Sequence, residues 1–213
     1  MAGPHRTCLM LLVLLSSALA APRQHTVILG RWRSVPTVSD SGKGPEARIR
    51  ELMIDDRLRE YTTGPMHEVT DRLFVIRRVQ RLNDALPEET RQARWTWRLA
   101  GWISIDRQTG HVAQLNLPMF DPESSEASWY RDYAAYCGSS DDGSKAYLMV
   151  YQLGKRKPVL KREFAGPGCA APKWERDPSR VTFISEKGEK TTFHVHSRGA
   201  EQQAETGEEE PSQ

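Results

Sequence analysis

Two histidines near the end of the chain have the spacing of a metal-binding pair. His194 and His196 alternate with Phe193 and Val195, so on a β-strand both imidazoles would face one side and both apolar side chains the other. Imidazole nitrogen is a good ligand for zinc or copper. Three distant residues are candidates for a further ligand: His67, His111 and Asp177. The alternative is an edge strand whose two histidines face solvent without a metal.

A second candidate site is aromatic. Trp95 and Trp97 are two residues apart and would share one face of a strand. If exposed, they form a flat platform on which a sugar ring or a partner's side chain can stack. If buried, they fill the core of a sheet. Further aromatic side chains that could extend either arrangement are Trp102, Trp129, Tyr130 and Tyr136.

A third candidate is a compact cationic turn. Lys155, Arg156 and Lys157 lie between Gly154 and Pro158. Lys161 and Arg162 follow within a few residues. Such a tip could contact phosphate-bearing polymers of a cell envelope. A solvated hairpin turn is the alternative, and the same two interpretations apply to Arg77, Arg78 and Arg81.

Motifs for catalysis or nucleotide binding are absent from the sequence. His67-Glu68 begins like a zincin motif, but Asp71 stands where the second histidine belongs. The glycines and serines of residues 138–143 have the wrong spacing for a serine hydrolase elbow. The aspartate pairs at 55–56 and 141–142 have the composition of turns. No phosphate-binding glycine motif occurs, so we expect neither a cofactor nor catalytic residues.

The first twenty residues have the pattern of a secretory signal peptide. His5 and Arg6 precede an apolar run, which ends in the A-x-A pattern at Ala20. Cys8 stands at the start of the run and not directly after the cleavage site, so a lipoprotein is excluded. Cleavage leaves Cys137 and Cys169 as an even pair in an oxidising compartment, and we predict that they form a disulfide. No later segment has the eighteen apolar residues of a membrane span.

Charge divides the rest of the chain into a basic body and an acidic tail. Residues 199–213 contain five glutamates and no basic residue, which predicts disorder because the segment has little to bury. Without Arg6 and these glutamates, 29 basic and 23 acidic residues give a net charge of about +6. The predicted organisation is a signal peptide at 1–20, one β-rich domain at 21–198 and a disordered tail. Export and the acidic tail disfavour nucleic acid as a partner.

Hydrophobic patterning predicts an all-β fold. Short runs rich in β-branched and aromatic residues recur between Gly, Pro and Asp. The predicted strands are 25–32, 47–54, 57–62, 69–82, 95–106, 111–117, 129–137, 146–153, 159–164, 181–185 and 191–196. Hairpin turns are predicted at 55–56, 106–110, 141–143 and 186–188. Longer loops are predicted at 38–45 and 118–128, and a polar helical turn at 87–94.

One stretch resembles a known family. The segment Ser-Asp-Asp-Gly-Ser-Lys-Ala-Tyr at residues 140–147 resembles the Ser-Pro-Asp-Gly-Lys hairpin in blades of TolB and YVTN type β-propellers, although Asp141 replaces the proline. The resemblance covers residues 129–164 and, more loosely, 102–117. It implies a small propeller-like arrangement, in which four blades would use the whole body. Turn and strand patterning alone favours an antiparallel meander of hairpins in an open sheet or sandwich.

These observations predict an exported, non-catalytic binding or interaction module in the cell envelope or outside the cell. Its partner would be an envelope or extracellular protein or polysaccharide. The alternatives are a glycan-binding module that uses Trp95 and Trp97, and a metal-dependent enzyme centred on His194 and His196.

Overall fold

The computed structural model describes residues 24–40, 42–86, 93–164, 169–176, 179–196 and 199–203. The predicted signal peptide, Asp177 and most of the predicted helical turn at 87–94 lie outside the described residues, as do the last ten residues of the acidic tail.

All regular structure in the described residues is β-strand, which confirms the predicted all-β fold. The part of the chain that the structure describes contains no helix that is long and apolar enough to cross a membrane. The strands are β1 (Val27–Leu29), β2 (Arg33–Ser39), β3 (Gly42–Ile54), β4 (Arg57–Glu68), β5 (Leu73–Asn83), β6 (Trp95–Asp106), β7 (Val112–Leu115), β8 (Ser128–Tyr130), β9 (Tyr133–Ser139), β10 (Ala146–Gln152), β11 (Leu160–Phe164), β12 (Lys173–Glu175), β13 (Arg180–Ile184), β14 (Lys190–His196) and β15 (Gly199–Gln202).

The strands form three sheets. The curled sheet contains β1 to β7 in the order β1-β3-β2-β6-β5-β4, with β7 beside β6. It curls because β3 pairs with β4 as well as with β2, and β2 also meets β6 in parallel at Thr37 and Trp97. The middle sheet (β8 to β11) and the outer sheet (β12 to β15) are four-stranded antiparallel meanders. The middle sheet covers the stretch that resembles propeller hairpins.

Apolar side chains hold the sheets in layers. The curled sheet packs on itself through buried residues of β3, β5 and β6, among them Leu52, Phe74 and Ile103. The middle sheet has one face against the curled sheet, where Tyr136 lies near Trp102. Its other face packs against the outer sheet through a cluster of buried side chains from both sheets. Burying a side chain of this size contributes about 1.5–3 kcal/mol.

The predicted disulfide is confirmed. Cys137 lies on β9 of the middle sheet and is bonded to Cys169, with 6.0 Å between the two Cα atoms. Cys169 forms an isolated β-bridge with Ser185, directly after β13 of the outer sheet. The bond therefore ties the middle sheet to the outer sheet, beside the apolar cluster that the two sheets share.

Turn chemistry was predicted well. Asp55 and Asp56 both have positive φ and join β3 to β4. Gly110, Gly143 and Gly188 also have positive φ at the other predicted hairpins, a conformation in which glycine has no Cβ penalty. Residues 118–128 form no strand until Ser128, so the predicted loop is also present.

Other boundaries were wrong. The predicted loop at 38–45 contains the end of β2 and the start of β3, which pair from Arg33 to Ser39. The predicted strand at 25–32 shrinks to β1, and β2 and β12 were not predicted. Three of residues 42–45 are Gly or Pro, which is typical of a loop. The segment is nevertheless a strand because it pairs with β2.

The chain direction near Arg131 and the start of the tail also differ from the prediction. The single strand predicted at 129–137 is two strands, because the chain turns between β8 and β9 at Arg131, whose φ is +52°. The tail was predicted to be disordered from residue 199, but residues 199–202 form β15, which pairs with β14. Backbone pairing with an ordered neighbour offsets the lack of large apolar side chains in this segment.

Candidate functional site

A cleft of about 630 Å³ lies between the curled sheet and the chain that leads into the middle sheet. One wall is formed by residues 45–48 of β3 and residues 63–67 of β4. Residues 126–129 and Ala171 form the opposite wall, and side chains of β5 and β6 also line the space. Volumes of about 300–1,000 Å³ are usual for ligand sites.

The cleft exists because β3 and β4 separate. Their last pair is Ile49 with Thr63. Gly64 follows with a φ of +70°, and Pro65 has no N–H to pair. The register of β4 against β5 also shifts between Thr63 and His67. The Gly-Pro step therefore turns β4 away from β3 and leaves a gap between the two strands.

Aromatic rings form one end of the cleft. The imidazole of His67 stacks on the indole of Trp129, with 5.9 Å between ring centroids and 26° between ring planes. Trp102 meets the same indole edge-on at 5.2 Å. His67 also donates a hydrogen bond from Nε2 to the carbonyl oxygen of Arg131 at 2.8 Å, since a carbonyl can only accept. This wall is therefore positioned by contacts between two sheets.

Arg77 places a cation beside the aromatic wall. Its Nη2 donates to the carbonyl oxygen of Pro122 at 2.5 Å. Burial lowers the pKa of the Arg77 guanidinium, and the nearby carboxylates of Glu126 and Asp121 oppose that shift. Both Arg77 and Glu126 line the cleft, so a ligand there would meet both signs of charge as well as aromatic surface.

Three buried donors at the cleft have no hydrogen-bond partner among the described residues. They are Nε1 of Trp102, Nε1 of Trp129 and Nε of Arg77. A buried donor without a partner costs about 1–3 kcal/mol. Native proteins contain few buried polar groups without a hydrogen-bond partner, and such groups occur preferentially at functional sites. Of the eight buried side-chain atoms without a partner among the described residues, three belong to residues that line the cleft, which makes the cleft a candidate site.

The predicted aromatic platform takes the form of an alternating stack. Trp95 is 50 % exposed, and the Arg81 guanidinium lies 4.6 Å from its ring and 5.7 Å from that of Trp97. Arg33 lies 5.2 Å from both Trp97 and Tyr61. Cations thus already contact these rings, and none of these residues lines the cleft.

The predicted histidine pair lies at the junction of the middle and outer sheets. Phe193 and Val195 are buried, whereas His194 and His196 are more exposed. His196 lies 3.5 Å from Glu201 and lines a pocket of about 220 Å³ with Tyr130, Tyr133 and Trp174. Across the described ranges, no three His, Cys, Asp or Glu residues are grouped so as to hold a metal.

The other two candidate ligands lie elsewhere. His67 is in the cleft, on a strand and not on the helix that a zincin requires. His111 lines a separate open depression of about 770 Å³, beside Arg59 and Glu60. Neither residue joins His194 and His196 in a common group.

The predicted cationic tip is an exposed turn between β10 and β11. Its three cationic side chains are all exposed: Lys155, Arg156 and Lys157. The hydroxyl of Tyr151 donates to the carbonyl oxygen of Lys155 at 2.5 Å, which fixes the turn. None of these residues lines the cleft.

Sequence patterning missed the cleft. Its residues come from six separated parts of the chain. Four of these residues were candidates from the sequence, but for other roles: Trp102, Trp129, His67 and Arg77. The useful signal was Gly64-Pro65 directly after a run of strand formers, because these two residue types are the ones that end regular pairing.

Comparison with known proteins adds no relative: no family model, no curated protein and no solved structure matches the chain.

Proposed function

We propose that this protein is an exported, non-catalytic binding module of the cell envelope or the extracellular space, and that its ligand occupies the cleft. One observation carries the proposal. Aromatic surface from His67, Trp102 and Trp129 and charge from Arg77 and Glu126 meet in one 630 Å³ space. Predominantly apolar walls with a few placed polar groups are typical of ligand sites.

A hydrogen bond and a disulfide link the parts of the chain that form the cleft. His67 links β4 to the turn before β9, and the Cys137–Cys169 disulfide fixes the sheet behind that turn. A preformed site avoids much of the ordering cost that a flexible site pays on binding. Export is supported by the signal pattern of residues 1–20. It is also supported by the disulfide between Cys137 and Cys169, because disulfides persist in oxidising compartments.

The test is capture from native envelope extract by immobilised residues 21–213. The extract is divided into a protein pool and a protease-treated glycan pool. Trp129→Ala removes the ring that both His67 and Trp102 contact, and Trp95→Ala is the matched control at the exposed aromatic stack. Loss of capture with Trp129→Ala alone supports the cleft, provided that both variants keep a cooperative thermal transition.

Glycan binding at Trp95 and Trp97 is the second candidate, because Trp95 is half exposed and lies beside Trp97 across Arg81. Capture from the glycan pool that is lost with Trp95→Ala and kept with Trp129→Ala would favour this platform over the cleft. Capture unaffected by either substitution would contradict both sites.

A further inference from the structure

We infer that the ligand of the cleft is an extended polypeptide segment that pairs with the free edge of β3 at Glu46 and Arg48. This inference rests on the proposed function, because it names the chemical class of ligand for the same cleft. It depends on the direction in which the backbone groups of β3 point.

Side-chain contacts establish that direction. Along a strand, the N–H and C=O groups of one residue point to the same edge, and those of the next residue point to the opposite edge. The Pro45 carbonyl accepts from the hydroxyl of Thr37 on β2, so Pro45 faces the β2 edge. The Arg48 carbonyl accepts from the hydroxyl of Thr63 on β4 at 2.7 Å, so Arg48 faces the opposite edge. Glu46, two residues before Arg48, faces the same way as Arg48.

The edge that carries Glu46 and Arg48 lacks a partner strand within the described ranges. β3 pairs with β4 only from Ile49 onward, although its pairing with β2 continues to Gly42. Both residues line the cleft. The N–H and C=O of Glu46 and the N–H of Arg48 are therefore directed toward the space that β4 vacates at Gly64.

Proline does not protect this edge. Edge strands are commonly protected by proline, bulges or inward-pointing charges. Pro45 precedes Glu46, but the backbone groups of Pro45 face β2. Its missing N–H therefore affects the edge toward β2 and not the edge toward the cleft. The edge toward the cleft retains the N–H groups of Glu46 and Arg48, and it is open to a further strand.

An extended polypeptide fits these groups. Strand addition derives affinity from main-chain hydrogen bonds and specificity from pockets for alternate side chains. Met66 and Trp129 offer apolar contacts within the cleft. Arg48 contacts the Trp32 ring at 5.5 Å, and no carboxylate pairs with it in the described part of the chain. The expected segment therefore carries an apolar residue for the cleft and an acidic residue beside Arg48.

The test uses a phage library of random 12-residue peptides selected on immobilised residues 21–213. The tightest peptide is synthesised, and its affinity is measured by fluorescence anisotropy for the wild type, Glu46→Pro and Glu46→Ala. Both substitutions remove the carboxylate, but only proline removes the N–H. Pairing predicts that Glu46→Pro weakens binding by about 10-fold or more relative to Glu46→Ala. Equal thermal midpoints for the two variants verify that the fold is kept.

Amide hydrogen exchange provides a second measurement on the wild type. Peptide binding should slow exchange at Glu46 and Arg48. The Ala47 amide should not change, because Ala47 already pairs with Val35 of β2.

The outcomes separate this inference from the proposed function. Equal affinity for Glu46→Pro and Glu46→Ala overturns edge pairing. If the peptide nevertheless binds Trp129→Ala at least about 10-fold more weakly, the cleft remains the ligand site and only the strand pairing is wrong. If neither substitution affects the peptide, both proposals fail. A selection that returns no peptide, with glycan captured at the cleft, also overturns the polypeptide inference.

Discussion

His67 donates a hydrogen bond from Nε2 to the carbonyl oxygen of Arg131 at 2.8 Å and thereby links β4 of the curled sheet to the turn between β8 and β9. Arg131 has a φ of +52°, so this bond holds a turn that non-glycine residues adopt reluctantly. The same imidazole stacks on Trp129.

His67→Ala should therefore destabilise the protein by about 1–2 kcal/mol, because it removes the hydrogen bond and the ring contact. Urea unfolding, followed by circular dichroism, measures the change. His111→Ala is the control, since His111 is exposed at a different depression. Equal stabilities for the two variants would show that His67 does not link the sheets.

Gly64 should be needed for its backbone conformation alone. A Cβ at Gly64 meets no atom within 4 Å, but the residue has a φ of +70°. Gly64→Ala should therefore cost about 1–2 kcal/mol in denaturant unfolding and weaken ligand capture as β4 relaxes toward β3. Gly101→Ala is the matched control, because a Cβ there also meets nothing and its φ is not in the positive region. A harmless Gly64→Ala would contradict the cause assigned to the cleft.

Reduction of the disulfide should lower the thermal midpoint strongly. Cys137 and Cys169 are 32 residues apart in sequence, and a loop of this length corresponds to about 3–4 kcal/mol in the chain-entropy description. Cys137→Ala and Cys169→Ala should have similar midpoints in differential scanning calorimetry, and neither should respond further to reductant. Markedly different midpoints would mean that one cysteine has a separate role.

The two parts of the acidic tail should respond differently to truncation. Removal of residues 199–213 should lower the thermal midpoint, because β14 loses its partner β15 and Gln202 no longer contacts Arg162. Removal of residues 204–213 alone should leave the midpoint unchanged. Calorimetry of both truncations measures this difference. A large loss from the shorter truncation would instead show that the acidic tail docks on the basic body.

Asp142 should contribute to stability in a pH-dependent way. Hydrogen bonds from Ser140 and Ser144 lower its pKa to about 2, whereas an unfolded aspartate titrates near 4. A lowered folded-state pKa means stability that is present above about pH 4 and lost as the pH falls toward 2.

The thermal midpoint of Asp142→Asn should therefore change less than that of the wild type between pH 5 and pH 2. Asp141→Asn is the control, because Asp141 is an exposed neighbour that makes no such bonds to the described residues. Parallel pH profiles for the wild type and Asp142→Asn would contradict the role given to these hydrogen bonds.

Local rules were sufficient for much of the fold. Asp55-Asp56 and Gly143 mark turns because their residue types tolerate positive φ. The alternation of Phe193 and Val195 with two histidines predicted which side of β14 is buried. These features depend on neighbours in sequence, so sequence patterning reaches them.

Pairing between distant segments was not predictable in the same way. β2 and the start of β3 are rich in polar residues, Gly and Pro, and their order comes from partners such as Trp97 on β6. The cleft depends on the loss of such a pairing after Thr63. Its walls approach each other only after the curled sheet and the middle sheet have packed, which no local pattern of residue types encodes.

The most direct test of the binding cleft is fluorine NMR of protein labelled with 5-fluorotryptophan. The chain has six tryptophans, and Trp-to-Phe variants assign their signals. Addition of captured ligand should shift the resonances of Trp102 and Trp129 and leave that of Trp95 in place. A shift confined to Trp95 and Trp97, with Trp129 unchanged at saturation, would contradict the cleft as the binding site.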